Sequence, residues 1–135
     1  MDGVGSYNNL TLLNSSGTNI AVGNLTINNS LTTTAGGTLN MVANSLGGSL
    51  TTVANNGTIN TANISATPLP SNITWGGTIN YNASTGGQSI VPGTYNILSL
   101  SNTSGTNIAL GDITVNTTFN NPAVGATLDM GTNVL

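Results

Sequence analysis

Lysine, arginine, histidine and cysteine are missing altogether from this 135-residue chain, and its only charged side chains are Asp2, Asp112 and Asp129. Each absence removes a class of chemistry. Without imidazole, thiol, amine or guanidinium there is no Ser-His-Asp triad, cysteine nucleophile, Schiff-base lysine or zinc site, so neither an enzyme nor a cofactor is expected. Nucleic acid is not an expected partner, because affinity for phosphate backbones comes mostly from Lys and Arg. Polybasic attachment to anionic lipid fails for the same reason. Missing cysteine excludes disulfides but leaves the compartment open. No run approaches the roughly 18 apolar residues of a membrane-spanning helix, so the chain is not expected to be membrane-embedded. Residues 1–6 show neither the basic start nor the apolar run of a signal peptide.

Charged residues make up 2% of the chain, against roughly 25% in an average soluble protein. Neutral groups must therefore keep the surface wet, and 23 Asn, 23 Thr, 13 Ser and 18 Gly supply them. With 37% apolar residues and little charge, the composition is that of a folding chain rather than a disordered one.

The text repeats itself. Residues 7–31, YNNLTLLNSSGTNIAVGNLTINNSL, match residues 95–119, YNILSLSNTSGTNIALGDITVNTTF, without a gap at an offset of 88, and after one extra residue Thr38–Met41 matches Thr127–Met130. Inside this duplication, Gly37-Thr38-Leu39-Asn40, Gly57-Thr58-Ile59-Asn60 and Gly77-Thr78-Ile79-Asn80 recur at a constant offset of 20. Gly93-Thr94-Tyr95-Asn96 repeats the phrase at an offset of 16, and the anchors Leu10, Leu25 and Leu39, then Leu98, Ile113 and Leu128, fall 14 to 15 apart.

Short runs such as Leu10–Leu12, Leu25–Ile27, Leu39–Met41, Ile79–Tyr81, Leu98–Leu100 and Ile113–Val115 alternate apolar with polar, which predicts strands. Asn, Thr and Gly depress helix propensity. Segments 15–18, 35–37, 55–57 and 84–87 carry turn chemistry. An antiparallel sandwich built by tandem duplication would accept these strands but has no reason to place one phrase at so regular an interval. A parallel coil does, because it lays equivalent residues over one another at about 4.8 Å. The expected fold is therefore all-β, a single parallel β-helix (β-solenoid) domain over residues 1–135. It would have about seven uneven turns in a rod of roughly 35 Å. Thr38, Thr58 and Thr78 would form one ladder and Asn40, Asn60 and Asn80 another. Two prolines, Pro68 and Pro70, mark a loop or bulge over residues 66–72.

The run Ile73-Thr74-Trp75-Gly76-Gly77-Thr78-Ile79-Asn80-Tyr81-Asn82, then Gln88-Ser89-Ile90-Val91-Pro92-Gly93-Thr94-Tyr95-Asn96, then Gly111-Asp112-Ile113-Thr114-Val115-Asn116, resembles a repeat of very large bacterial surface proteins. That repeat reads G-T-V-x-Y-N, Q-x-V-P-x-G-T-Y-x-N-L-x-L and G-D-x-T-V-N-G. With the second copy, the resemblance covers most of the chain. It implies parallel β-helix segments of adhesins and autotransporter-like filamentous surface proteins, and hence an extracellular or cell-surface location. This sequence lacks the Lys expected after the Gly-Thr turn of such repeats, which favours an inert, protease-resistant surface.

Candidate sites are few. Asn-X-Ser/Thr triplets, candidate acceptors for N-linked sugar, start at Asn9, Asn14, Asn24, Asn28, Asn56, Asn63, Asn72, Asn82, Asn102 and Asn116, little above the roughly six that composition alone gives. Asp112 aligns with Asn24 and Asp129 with Asn40, so neither carboxylate is an expected acid, base or metal ligand. Calcium would want clustered oxygens. Trp75, Tyr7, Tyr81, Tyr95 and Phe119 read as core or rim aromatics rather than a sugar-stacking platform. An ice-binding face would show paired threonines on each turn, where the Gly-Thr phrase gives one. Neither terminus carries the cap that closes natural solenoids, so copies of the chain are expected to stack head to tail in an extracellular filament. A carbohydrate-binding adhesin stalk that touches glycans or other cells is the alternative.

Overall fold

A computed structural model of the chain describes residues 5–84, 87–121 and 126–135; Asp2 and the Thr85-Gly86 part of one expected turn lie outside the described residues. Among them there is no helix. Thirteen strands follow in order: β1 (Gly5–Leu12), β2 (Thr18–Ile20), β3 (Leu25–Thr33), β4 (Thr38–Asn40), β5 (Leu46–Gly47), β6 (Thr52–Asn55), β7 (Thr58–Thr61), β8 (Ile73–Tyr81), β9 (Ser89–Ile90), β10 (Gly93–Leu100), β11 (Thr106–Ala109), β12 (Ile113–Asn120) and β13 (Thr127–Asp129). All recorded pairings are parallel. The chain is a parallel β-solenoid.

Each lap has three sides. The first side carries Gly5–Tyr7 of β1, Leu25–Ile27 of β3 and β5, and later β9, β11 and β13. The second carries the far halves of β1 and β3, then β6, and then the near halves of β8, β10 and β12. Asn55 joins β6 to β8 by donating from Nδ2 to the Gly76 carbonyl at 2.8 Å. The third side carries β2, β4 and β7 and the far halves of β8, β10 and β12. The strands therefore form six laps, β1–β2, β3–β4, β5–β7, β8–β9, β10–β11 and β12–β13. The positions of partners on successive laps differ by 19, as in Ser89↔Ile108, to 22, as in Ser30↔Thr52. Six laps give a rod of about 29 Å.

The lap count is lower, and the laps more even, than the 14- and 15-residue anchor spacings imply. Those anchors do not stack. Leu10 pairs with Leu31, Leu25 with Leu46, and Leu39 with Ile59, on three different sides. Residues 62–72 contain no strand, yet the segment keeps its rung: the Leu46 amide donates to the Pro68 carbonyl at 3.0 Å, and Leu69 is buried in the core.

The phrase Gly-Thr-apolar-Asn encodes one corner and the side that follows. The glycine turns the corner, Thr and Asn face outward half-exposed, and the apolar residue enters the core, as Leu39, Ile59 and Ile79 do. Glycine is required because successive corners lie directly on one another. A Cβ on Gly57 would overlap the Gly37 carbonyl oxygen, and one on Gly77 the Gly57 carbonyl oxygen. Each fully buried Leu or Ile on the inner face contributes about 2 kcal/mol.

The internal duplication is reproduced in the strand register. Gly5↔Leu25, Tyr7↔Ile27 and Leu10↔Leu31 recur as Gly93↔Ile113, Tyr95↔Val115 and Leu98↔Phe119, with the same register shift after the tyrosine. The second copy is nevertheless turned by one side, since Tyr7 lies on the first side and Tyr95 on the second. An offset of 88 is four laps plus one side. The same text can occupy different sides because the three sides are built alike.

Candidate functional site

The strand edges that remain open among the described residues lie at the two ends of the coil. Among the described residues, the outer edges of β1 and β2 at one end and of β12 and β13 at the other have no strand partner. Unpaired backbone donors and acceptors on such edges template another strand. The core is open there as well: Leu31 and Leu98 are 0% exposed on inner laps, whereas Phe119, their counterpart on the last lap, is 39% exposed. Tyr7 and Leu10 on the first lap, and Val115, Leu128 and Met130 on the last, are likewise only partly buried.

The outer surface carries the polar columns. Thr38, Thr58 and Thr78 occupy neighbouring rungs of one column, and Asn40, Asn60 and Asn80 those of another. Asn80 Nδ2 donates to Asn60 Oδ1 at 3.2 Å, and Ser101 Oγ to Asn80 Oδ1 at 2.7 Å. Each threonine thus sits beside an asparagine, not a second threonine. The inner surface also holds polar groups that an apolar-in reading misses. In Thr106-Asn107-Ile108 the order is inverted, with Asn107 0% exposed and Ile108 53% exposed. Asn107 is held there by donating to Asn102 Oδ1 and the Thr127 carbonyl while accepting from the Gln88 amide. Buried Gln88 accepts from the Ala83 amide and donates to the Thr61 and Asn63 carbonyls. Thr33 Oγ1 donates to Asn55 Oδ1 at 2.5 Å. Trp75 Nε1 and Asn82 Oδ1 are buried without a partner.

Both described aspartates do the work of an amide. Asp112 Oδ1 accepts from the Val134 amide at 2.9 Å, as Asn24 Oδ1 accepts from Ser45 at 2.9 Å. Asp129 Oδ1 accepts from Gly131 at 2.8 Å, as Asn40 Oδ1 accepts from Val42 at 3.0 Å. An acceptor oxygen is all the local turn needs, which explains the interchange. No three metal-ligating side chains come together among the described residues. Of the sugar-acceptor asparagines, Asn9, Asn24, Asn28, Asn56, Asn72 and Asn116 are exposed and Asn14 and Asn82 half-buried, whereas Asn63 and Asn102 are buried and offer no room for a glycan in the folded chain. A groove of about 520 Å³ runs over the corner formed by Leu46, Gly48, Leu69, Pro70, Pro92 and Leu110, and its lining has no aromatic ring for a sugar to stack on.

Tyr81 and Tyr95 close a buried ring of hydrogen bonds. The Val91 amide donates to Tyr81 Oη at 3.3 Å, Tyr95 Oη donates to the Val91 carbonyl at 2.6 Å, and the two hydroxyls are 3.3 Å apart, leaving Tyr81 as donor to Tyr95. Burial pushes Tyr81 up to about 12, and it raises Tyr95 too, with the Tyr81 charge and hydrogen bond adding to the effect. The neutral phenols are therefore favoured in the fold, while an unfolded tyrosine ionises near about 10. The contribution of Tyr81 is whole below about pH 10 and is lost as pH rises through about 12, and that of Tyr95 is likewise whole below about pH 10 and lost at higher pH. With no His, Lys or Arg to titrate, thermal unfolding followed by circular dichroism is expected to show a midpoint that is level from pH 6 to 9 and falls steeply above about 10. A midpoint unchanged at pH 12 would contradict the tyrosine geometry.

No family model matches the chain, and neither a curated protein nor a solved structure matches it. No helix among the described residues is long and apolar enough to cross a membrane.

Proposed function

We propose that this chain is a structural module of an extracellular or cell-surface fibre, in which copies stack head to tail so that the solenoid runs on from one to the next. The observation that carries this reading is the double opening of both ends among the described residues: edges without a strand partner and inward apolar side chains, Phe119 above all, left exposed. A second copy meets both needs at once. Low charge supports the contact, since three aspartates oppose close approach only weakly. A chain without Lys or Arg also gives trypsin-like proteases no cleavage site, which suits a protein displayed outside the cell.

Sedimentation velocity over a range of concentrations tests the proposal. The expected result is a polymer series that lengthens with concentration and responds little to salt, because burial and backbone pairing drive it rather than charge. A single monomer boundary at every concentration would overturn it.

A further inference from the structure

Resting on the fibre reading above, we infer that β12 of one copy pairs with β1 of the next in the register in which β8 meets β10. Strand β10 is held between β8 and β12, and both flanking strands face it identically: Thr94 meets Thr74 and Thr114, Tyr95 meets Trp75 and Val115, Leu98 meets Ile79 and Phe119, and Ser99 meets Asn80 and Asn120. The two share the pattern Ile-Thr-x-x-x-Thr-apolar-Asn, Ile73–Asn80 and Ile113–Asn120. They also share the corner, for each advances by three positions, Trp75 to Thr78 and Val115 to Thr118, while β10 advances by two, Tyr95 to Ile97.

Strand β1 is the duplicate of β10, GSYNNLTL against GTYNILSL, and takes the same short corner, Tyr7 to Asn9, against β3. It has the upper neighbour of β10 but, among the described residues, no lower one. The strand that fits there is one with the text and corner of β8, and β12 presents both on an open edge. The contact sets Tyr7 over Val115, Asn9 over Thr118, Leu10 over Phe119 and Thr11 over Asn120. Phe119 and Leu10 then acquire the cover that Ile79 and Leu98 have inside the chain. At the Ile113 end, the Ile113 amide already donates to the Val134 carbonyl at 2.9 Å, so residues 6–11 carry the contact. Because β1 spans the first and second sides and β12 the second and third, each copy is turned by one side relative to the last, as the internal duplicate is.

The chain contains no cysteine, so disulfide trapping reads the register cleanly. Thr11→Cys and Asn120→Cys, both at exposed positions, are combined in one chain and oxidised under polymerising conditions. Facing residues on paired strands lie within disulfide reach. The expected result is a reducible ladder of covalent oligomers on a denaturing gel. An equimolar mixture of the two single variants should give cross-linked dimers and nothing longer, and Thr11→Cys with Thr114→Cys should give no ladder. Circular dichroism matching the parent chain certifies the fold, and Ser6→Cys with Thr114→Cys provides a second in-register pair. Filaments of these variants that form without either in-register ladder overturn the register while leaving the fibre reading intact. A parent chain that never polymerises overturns both.

Discussion

Gly57→Val is expected to destabilise the fold by about 3 kcal/mol, seen as a lower denaturant midpoint by circular dichroism. A side chain at this corner runs into the carbonyl oxygens of Gly37 and Thr34. Neither can give way, because the Gly37 carbonyl accepts from Thr58 and the Thr34 carbonyl from Gly37 in the lap below. The Gly57 amide is itself tied to Thr33 Oγ1 at 3.2 Å. Moving any of these groups breaks bonds on two rungs. Gly47 is the control: a Cβ there meets no atom within 4 Å, so Gly47→Val is expected to change stability by no more than about 0.5 kcal/mol. Equal effects at the two positions would show that the glycines do not hold the corners together.

Trp75→Ala should cost about 4 kcal/mol. Trp75 is the largest side chain of the core and 1% exposed, and Tyr95 lies on the next rung. Truncation leaves a void between laps that are fixed by ladders on three sides and cannot collapse into it. Trp75→Phe separates volume from polarity. It keeps most of the apolar bulk and removes an indole N–H that has no acceptor, so the loss should stay below about 1.5 kcal/mol. A phenylalanine variant as unstable as the alanine variant would mean that the indole nitrogen matters in the fold.

The repeating Gly-Thr-apolar-Asn phrase made the parallel coil legible because its parts have separate tasks: glycine for a corner without room, apolar for the inside, Thr and Asn for the outside. The strand order follows from that period. Less was legible where a residue's side depends on what lies one lap away. Asn107 and Ile108 exchange inside and outside, as Asn19 and Ile20 do in the first copy, because the amide is held by an asparagine five residues back, Asn102 or Asn14, and by the carbonyl of the next lap, Thr127 or Thr38; simple alternation of apolar and polar residues does not show it. Asn55, Thr33 and Gln88 are polar but interior because their partners lie one lap away. The turn of the duplicate by one side was also hidden, because the text gives its offset of 88 but not that three sides share each lap. The choice of β12 as the partner of β1 required the registers seen in the structure.

The most direct test of end-to-end continuity is a helical cryo-electron microscopy reconstruction of the polymerised parent chain. The expected map shows one unbroken solenoid in which the strand spacing of about 4.8 Å continues across every junction between copies, with each copy turned by a third of a lap. Isolated rods, or copies that touch side by side while their end strands remain uncovered, would contradict the account.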